Sequence, residues 1–209
     1  MKKGDFVKID YVGRLETGEI FDLTDEALAK KENIYNSNIS YKPIPVIIGE
    51  NFVIKGLDKE LEKMKVGEKK KITVNPEDGF GKRNPNLVKI VNKKVFKEAP
   101  KVGMVVNIKG TMGRIQSIDG GRVRIDFNNP LSGKALQYEI EIKEELKDPI
   151  EKIKAIFEFF GNSQIDVSIK EGIVEVKKAQ NSPDTKKKIS NLIKKYIEST
   201  KTVKFVEEY

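Results

Sequence analysis

Three stretches of this chain gather residue types that can do chemistry. IDYVGRLETGEIFD, from Ile9 to Asp22, holds Tyr11 and then a second aromatic followed at once by a carboxylate, Phe21-Asp22. IIGENFVIKGLDKELEKMKVGEKKKITVNPEDGFG, from Ile47 to Gly81, holds the aliphatic pair Val53-Ile54, then Leu57, and Phe80 between two glycines. LQYEIE adds Tyr138. The chain has no cysteine, no histidine and no tryptophan. Thiolate nucleophiles and Ser-His-Asp or Cys-His arrangements are therefore excluded. So are zinc, copper and nickel sites built on imidazole or thiolate. A carboxylate site for a hard cation stays open, but no loop carries the alternating acidic pattern it wants. No cofactor and no metal are expected.

The spacing of apolar residues says which elements carry these groups. Val7, Ile9 and Tyr11 alternate, as on a half-buried strand. ETGE turns the chain at Gly18, and Phe21-Asp22 begins the next strand. Thr24 to Lys31 reads as a short helix. Thr24 is the expected cap, with acids in the first turn and lysines in the last, as the helix dipole favours. Asn33 to Ser40 is polar and loop-like, and Pro43 and Pro45 lead into Val46-Ile47-Ile48. Ile54, Leu57, Leu61 and Met64 make one helical stripe. Leu136, Tyr138, Ile140 and Ile142 alternate strictly. That strand belongs to the first sheet by pattern, so the segment interrupting the sheet must bring its two ends close together.

These segments together resemble the FKBP family of peptidyl-prolyl cis/trans isomerases. The resemblance implies an α+β fold, a half-barrel of antiparallel strands with a short helix. It implies rotation about a prolyl C–N bond, whose barrier is about 18–20 kcal/mol. No bond breaks, so an apolar pocket and a few dipoles that favour the twisted state suffice. It also implies site residues. Tyr11 matches the aromatic of the pocket wall. Phe21 and Asp22 match a pocket aromatic and the carboxylate facing the substrate carbonyl. Val53-Ile54 match the aliphatic pair whose isoleucine N–H holds a ligand carbonyl. Tyr138 matches a pocket aromatic that is commonly Phe, and Ile44 sits near another. Two positions depart from the usual pattern. Leu57 stands where many members have the tryptophan of the pocket floor, which implies a shallower floor. Phe80 stands where much of the family has a tyrosine, which removes a hydroxyl that binds ligand. Leucine at the floor is usual in the SlyD-like branch, which also carries a β-rich insert at this point.

The resemblance and the change of texture divide the chain into three. Residues 1–86 and 128–146 are expected to form the isomerase domain, 87–127 an insert-in-flap domain, and 147–209 a separate α+β domain of order α-β-β-α-β. The tail resembles the long archaeal FKBP type. Met104, Val105, Val106, Ile108 and Met112 are the candidates for an apolar surface that binds unfolded, proline-containing chains. Four large apolar residues in five, at Ile156, Phe157, Phe159 and Phe160, suit either deep burial or a homodimer contact. The net charge of +8 and the Lys186-Lys187-Lys188 and Lys194-Lys195 clusters raise a second class, a ribosome- or RNA-associated binding module. No run approaches the ~20 apolar residues of a membrane span. Lys2-Lys3 is not followed by a signal-peptide core. The expectation is a cytoplasmic protein with no membrane partner, and the Lys, Glu and Ile content resembles a heat-adapted proteome.

Overall fold

The structure, a computed structural model, describes residues 1–198 and 200–206. The tail expected to run to 209 therefore reaches beyond them, and Ser199 also lies outside. In chain order the elements are β1 (Phe6–Leu15), β2 (Ile20–Leu23), α1 (Glu26–Lys31), β3 (Ile44–Ile47), α2 (Lys55–Leu61) and β4 (Lys69–Val74). Next come β5 (Val88–Asn92), β6 (Val105–Ile108), β7 (Thr111–Asp119) and β8 (Arg122–Asp126). The order continues with β9 (Leu136–Leu146), α3 (Pro149–Phe159), β10 (Asp166–Lys170), β11 (Ile173–Lys177), α4 (Pro183–Tyr196) and β12 (Thr202–Val206). The chain divides into two compact units: Met1–Val74 with Leu136–Tyr209, and Asn75–Ala135.

In the first unit, the long antiparallel ladder between β1 and β9 is the spine of a curled sheet ordered β2-β1-β9-β4, with β3 on β1. The alternation of β9 explains its place. Leu136, Tyr138, Ile140 and Ile142 are all buried, while the residues between them are not. The residues paired with them on β1, including Ile9, Tyr11 and Gly13, share that face. Leu57 and Leu61 of α2, and Met64 just past it, are buried too, completing the stripe read from the sequence. The helix comes close to β4 because Gly56 has no side chain. A Cβ there would lie 2.5 Å from Val74 Cγ1.

Helix α1 starts one residue later than expected. Its cap is Asp25, whose carboxylate accepts the Leu28 N–H at 2.9 Å. Thr24 is buried instead. Its hydroxyl donates to Asp10 Oδ1 at 2.8 Å and accepts the Tyr11 N–H at 3.0 Å. A hydroxyl committed across to a neighbouring strand cannot also cap.

The last third has the α-β-β-α-β order that its periodicity predicts. Asp148 caps α3 and accepts the N–H groups of Ile150 and Glu151, with Pro149 in the first turn. Glu171 and Gly172, both at positive φ, turn β10 back onto β11, and β12 runs parallel to β11. The expected break at 147, however, is not a break in packing. Phe6, Ile47 and Leu146 lie in one cross-strand row of β3, β1 and β9. They join Ile153, Ile156, Phe157, Ile189 and Ile193 in a single buried cluster. An apolar row on the sheet's far end must be covered, and α3 and α4 cover it.

The second unit is a four-stranded antiparallel sheet ordered β5-β8-β7-β6. Gly120 and Gly121 form its tight hairpin, both at positive φ. Val106, Ile115, Val123 and Ile125 are its core, with Ile108 packed against them. Gly113 must be bare, since a Cβ would meet Ile125 and the Phe127 ring at 2.7 Å. The two ends do return together. The Asn84 N–H donates to Asn128 Oδ1 at 2.8 Å, and the Gly133 N–H to Gly81 O at 2.8 Å. These bonds draw the unit's ends out to Asn75 and Ala135, past the expected 87 and 127.

Candidate active site

Strands β1, β2 and β9 bring three rings together. Gly13 on β1 pairs with both Asp22 on β2 and Tyr138 on β9. The Phe21 ring stands edge-on to Tyr138, centroids 5.6 Å apart, and Tyr11 lies 6.1 Å from Tyr138. Gly13 makes room for this. A Cβ there would lie 2.6 Å from Phe21 Cζ and 3.1 Å from Tyr138 Cε1. Glycine inside a strand is the sequence signal of such a close approach, yet Gly13 was not among the expected site residues.

The Tyr11 hydroxyl donates to Asp22 Oδ2 at 2.8 Å. Burial, then the Asp22 charge and that hydrogen bond, push the Tyr11 phenol far above its ordinary range. Burial and Asp22 push the Tyr138 phenol up as well. Both phenols are thus held neutral, and Tyr11 serves as a donor to Asp22. The exposed Asp22 carboxylate, held by Tyr11, is the fixed negative group beside the rings.

Val53 and Ile54 are half-buried and lead into α2. Ile54 is the extended residue at the helix start, and its carbonyl accepts the Asp58 N–H at 3.1 Å. No described residue accepts a hydrogen bond from the Ile54 N–H. Asp58, another residue the sequence reading passed over, is one of the few buried polar side chains. It accepts the Gly49 N–H at 2.9 Å and the Asn51 N–H, fixing the turn before Val53. Burial pushes its carboxyl up, and those two N–H groups pull it partly back.

The other expected residues divide. Leu57 is buried beneath the sheet. Ile44 is half-buried in β3 opposite Ile9. Phe80 belongs to the second unit, where its carbonyl accepts the Ser132 hydroxyl at 2.9 Å. Met104, Val105 and Met112 are exposed on that unit, whereas Val106 is core and Ile108 packs on the core. These two do not form the expected surface, because alternate residues of β6 point to opposite faces.

A cleft of about 620 Å³ lies in the first unit, lined in part by Asp10, Val12, Lys69, Lys71, Glu139 and Glu141. These residues alternate with the aromatic-face residues along the same strands. Its charges neutralise one another, with Lys71–Glu139 at 2.9 Å and Lys69–Glu141 at 3.3 Å. A floor of paired ions does not desolvate an imide, so this charged part of the cleft is not the candidate site, although Tyr11 also lines the cleft.

The family of FKBP-type peptidyl-prolyl cis-trans isomerases matches residues 1–143. The chain is 35% identical over 147 residues to a short-type peptidyl-prolyl cis-trans isomerase of Methanocaldococcus jannaschii, covering 69% of this chain and 93% of that one. It is 31% identical over 159 residues to the FKBP-type isomerase SlyD of Haemophilus influenzae, covering 73% and 76%. SlyD of Vibrio cholerae is 34% identical over 106 residues, 48% of this chain and 53% of that one. A match of that extent, on a curled antiparallel sheet with its rings converging on Gly13, places the chain among the FKBP-type peptidyl-prolyl cis-trans isomerases, on the side of the SlyD proteins.

Proposed function

We propose that this isomerase acts on folding proteins, holding an unfolded chain on unit 75–135 and turning its X-Pro bonds at the aromatic site. The prolyl ring sits against Tyr11, Phe21 and Tyr138, over Leu57. The Ile54 N–H takes a substrate carbonyl, and Asp22 faces the carbonyl that swings out of plane. Val53 adds apolar wall. Removing the imide from water favours the twisted state, whose nitrogen and carbonyl are less polarised than the planar ones.

The observation that carries the holding role is the exposed apolar surface of the second unit. Met112 is 57% exposed, Val105 49% and Met104 41%, and Ile90 is 64% exposed on the edge strand β5. Methionine repacks easily around varied partners, and two binding places on one chain raise the local concentration of proline at the site. The test compares the whole chain with one lacking Leu87–Phe127. The cut joins residues at the foot of the insert ladder, where the Phe127 N–H meets Leu87 O at 3.0 Å. The shortened chain should isomerise a proline tetrapeptide normally and lose most of its acceleration of proline-limited refolding. Equal loss, or equal retention, of both activities refutes the division of labour.

A further inference from the structure

The turn that delivers Val53 and Ile54 is held from two directions. Gly49 and Asn51 both sit at positive φ, +86° and +58°. A non-glycine residue there is uncommon and needs support. Asp58 of α2 supplies part of it through the backbone of Gly49 and Asn51. The rest comes from the last third of the chain. Lys195 Nζ and the Tyr196 hydroxyl both donate to Glu50 Oε1, each at 2.5 Å. The Tyr196 ring also stands edge-on to Phe6 at 5.8 Å and fills the space where a Cβ on Gly4 would be. Phe52 lies 3.9 Å, centroid to centroid, from Phe159, and 6.4 Å from Phe160. Glu50 and Phe52 thus flank Asn51, and Phe52 immediately precedes Val53. Their anchors on α3 and α4 lie beyond residue 143, outside the stretch matched to the family.

We infer that α3 and α4 are a brace for the substrate-binding turn, with Phe52 and Glu50 as positioning residues that act through Val53 and Ile54. The inference rests on the reading that Val53 and Ile54 meet the substrate. Phe159 is 38% exposed, so its role is not to fill a core. The excess of aromatics at the end of α3 has its use here, as the socket for Phe52.

The brace should set substrate affinity rather than fold. In the full-length chain, Phe159→Ala should raise KM for a proline tetrapeptide about fivefold with kcat nearly unchanged. The pair Lys195→Met with Tyr196→Phe should raise KM about twofold to threefold. Phe52→Ala added to Phe159→Ala should cost less than the sum of the two single changes, since the two share the Phe52–Phe159 contact. Phe159→Leu, which refills part of the socket, should restore part of the affinity. Hydrogen exchange at the Gly49 and Asn51 amides, which donate to Asp58, should quicken in the alanine variants. Ile189→Val, in the core of the same region, should lower the melting temperature without moving KM. The brace is overturned if Phe159→Ala leaves KM and the exchange of the Gly49 and Asn51 amides unchanged, or if Ile189→Val raises KM as much. A wild-type chain with no tetrapeptide activity would overturn the site reading and the brace with it. Normal wild-type activity with an unmoved KM in Phe159→Ala overturns the brace alone.

Discussion

The Tyr11 hydroxyl points its proton at Asp22 Oδ2, 2.8 Å away, so a neutral phenol orients a carboxylate beside the aromatic face. The bond spans β1 and β2, and the burial that raises the Tyr11 phenol keeps it a donor. If Asp22 faces the rotating carbonyl, its loss should cost more than the loss of its holder. Asp22→Ala should lower kcat/KM for a proline tetrapeptide roughly tenfold, a cost of ~1.4 kcal/mol in the transition state. Tyr11→Phe should lower it about twofold to fivefold, since the carboxylate stays but loses one neutral hydrogen bond. A larger loss in Tyr11→Phe than in Asp22→Ala would transfer the polar role to the phenol.

Gly13→Ala tests the convergence of the rings. The new methyl would lie 2.6 Å from the Phe21 ring, well inside the sum of the two carbons' van der Waals radii, so the ring must swing away. Overpacking of this kind costs about 1–3 kcal/mol, read as a lowered urea midpoint with an unchanged m-value. The activity should fall with it. Gly13→Ala combined with Phe21→Ala should recover stability relative to the single glycine change, because the clash is gone, and yet stay inactive. Recovery of activity in the double variant would show that Phe21 is packing and not pocket.

Much of this site was legible because strand alternation is a local signal. Tyr138 could be placed on the buried face of β9 from Leu136, Ile140 and Ile142 alone, and Leu57 on the inner stripe of α2 from Leu61 and Met64. Both positions follow from periodicity, which the sequence carries directly. What was not legible depends on partners far along the chain. Nothing local tells Val105 from Val106. The pairing of β6 with β7 turns Val106 into the core and leaves Val105 outside. Thr24 reads as a cap until Asp10 lies within reach of its hydroxyl. Phe6, Ile47 and Leu146 read as ordinary strand residues, and only the assembled sheet lines them up beneath α3 and α4. That row is why the tail shares a core with the sheet instead of standing alone.

The Glu50 contact gives a pH signature. Burial works to raise the Glu50 carboxyl, but the hydrogen bonds from Lys195 and Tyr196 outweigh it and hold it below its ordinary 4.5. The folded state therefore binds this proton less readily than the unfolded one. The stability it contributes is fully present above pH 4.5 and is lost as pH falls through the lowered folded value. Lys195 is largely exposed, so the contribution should be small and shrink in high salt. Melting curves of the wild type and Glu50→Gln should differ at pH 6 and converge on acidification. A difference that persists unchanged well below pH 3 would mean that Glu50 acts by packing and not by charge.

The second unit offers a comparison in which folding and client binding pull apart. Val105 and Val106 are chain neighbours with the same side chain, yet Val105 is 49% exposed and Val106 only 8%. Val106→Ala removes buried methyls from a core of four residues and should cost about 2 kcal/mol, with little left to compensate in so small a sheet. Val105→Ser and Met112→Ser change only exposed side chains and should leave stability within about 0.5 kcal/mol. If the outer face holds unfolded chains, the exposed pair should lower refolding acceleration several-fold while tetrapeptide turnover and the melting curve stay where they were. If it does not, the exposed pair should match the wild type in every assay, and only Val106→Ala should slow refolding, through loss of the unit's fold. The two outcomes differ in which neighbour matters, so general destabilisation cannot stand in for lost binding.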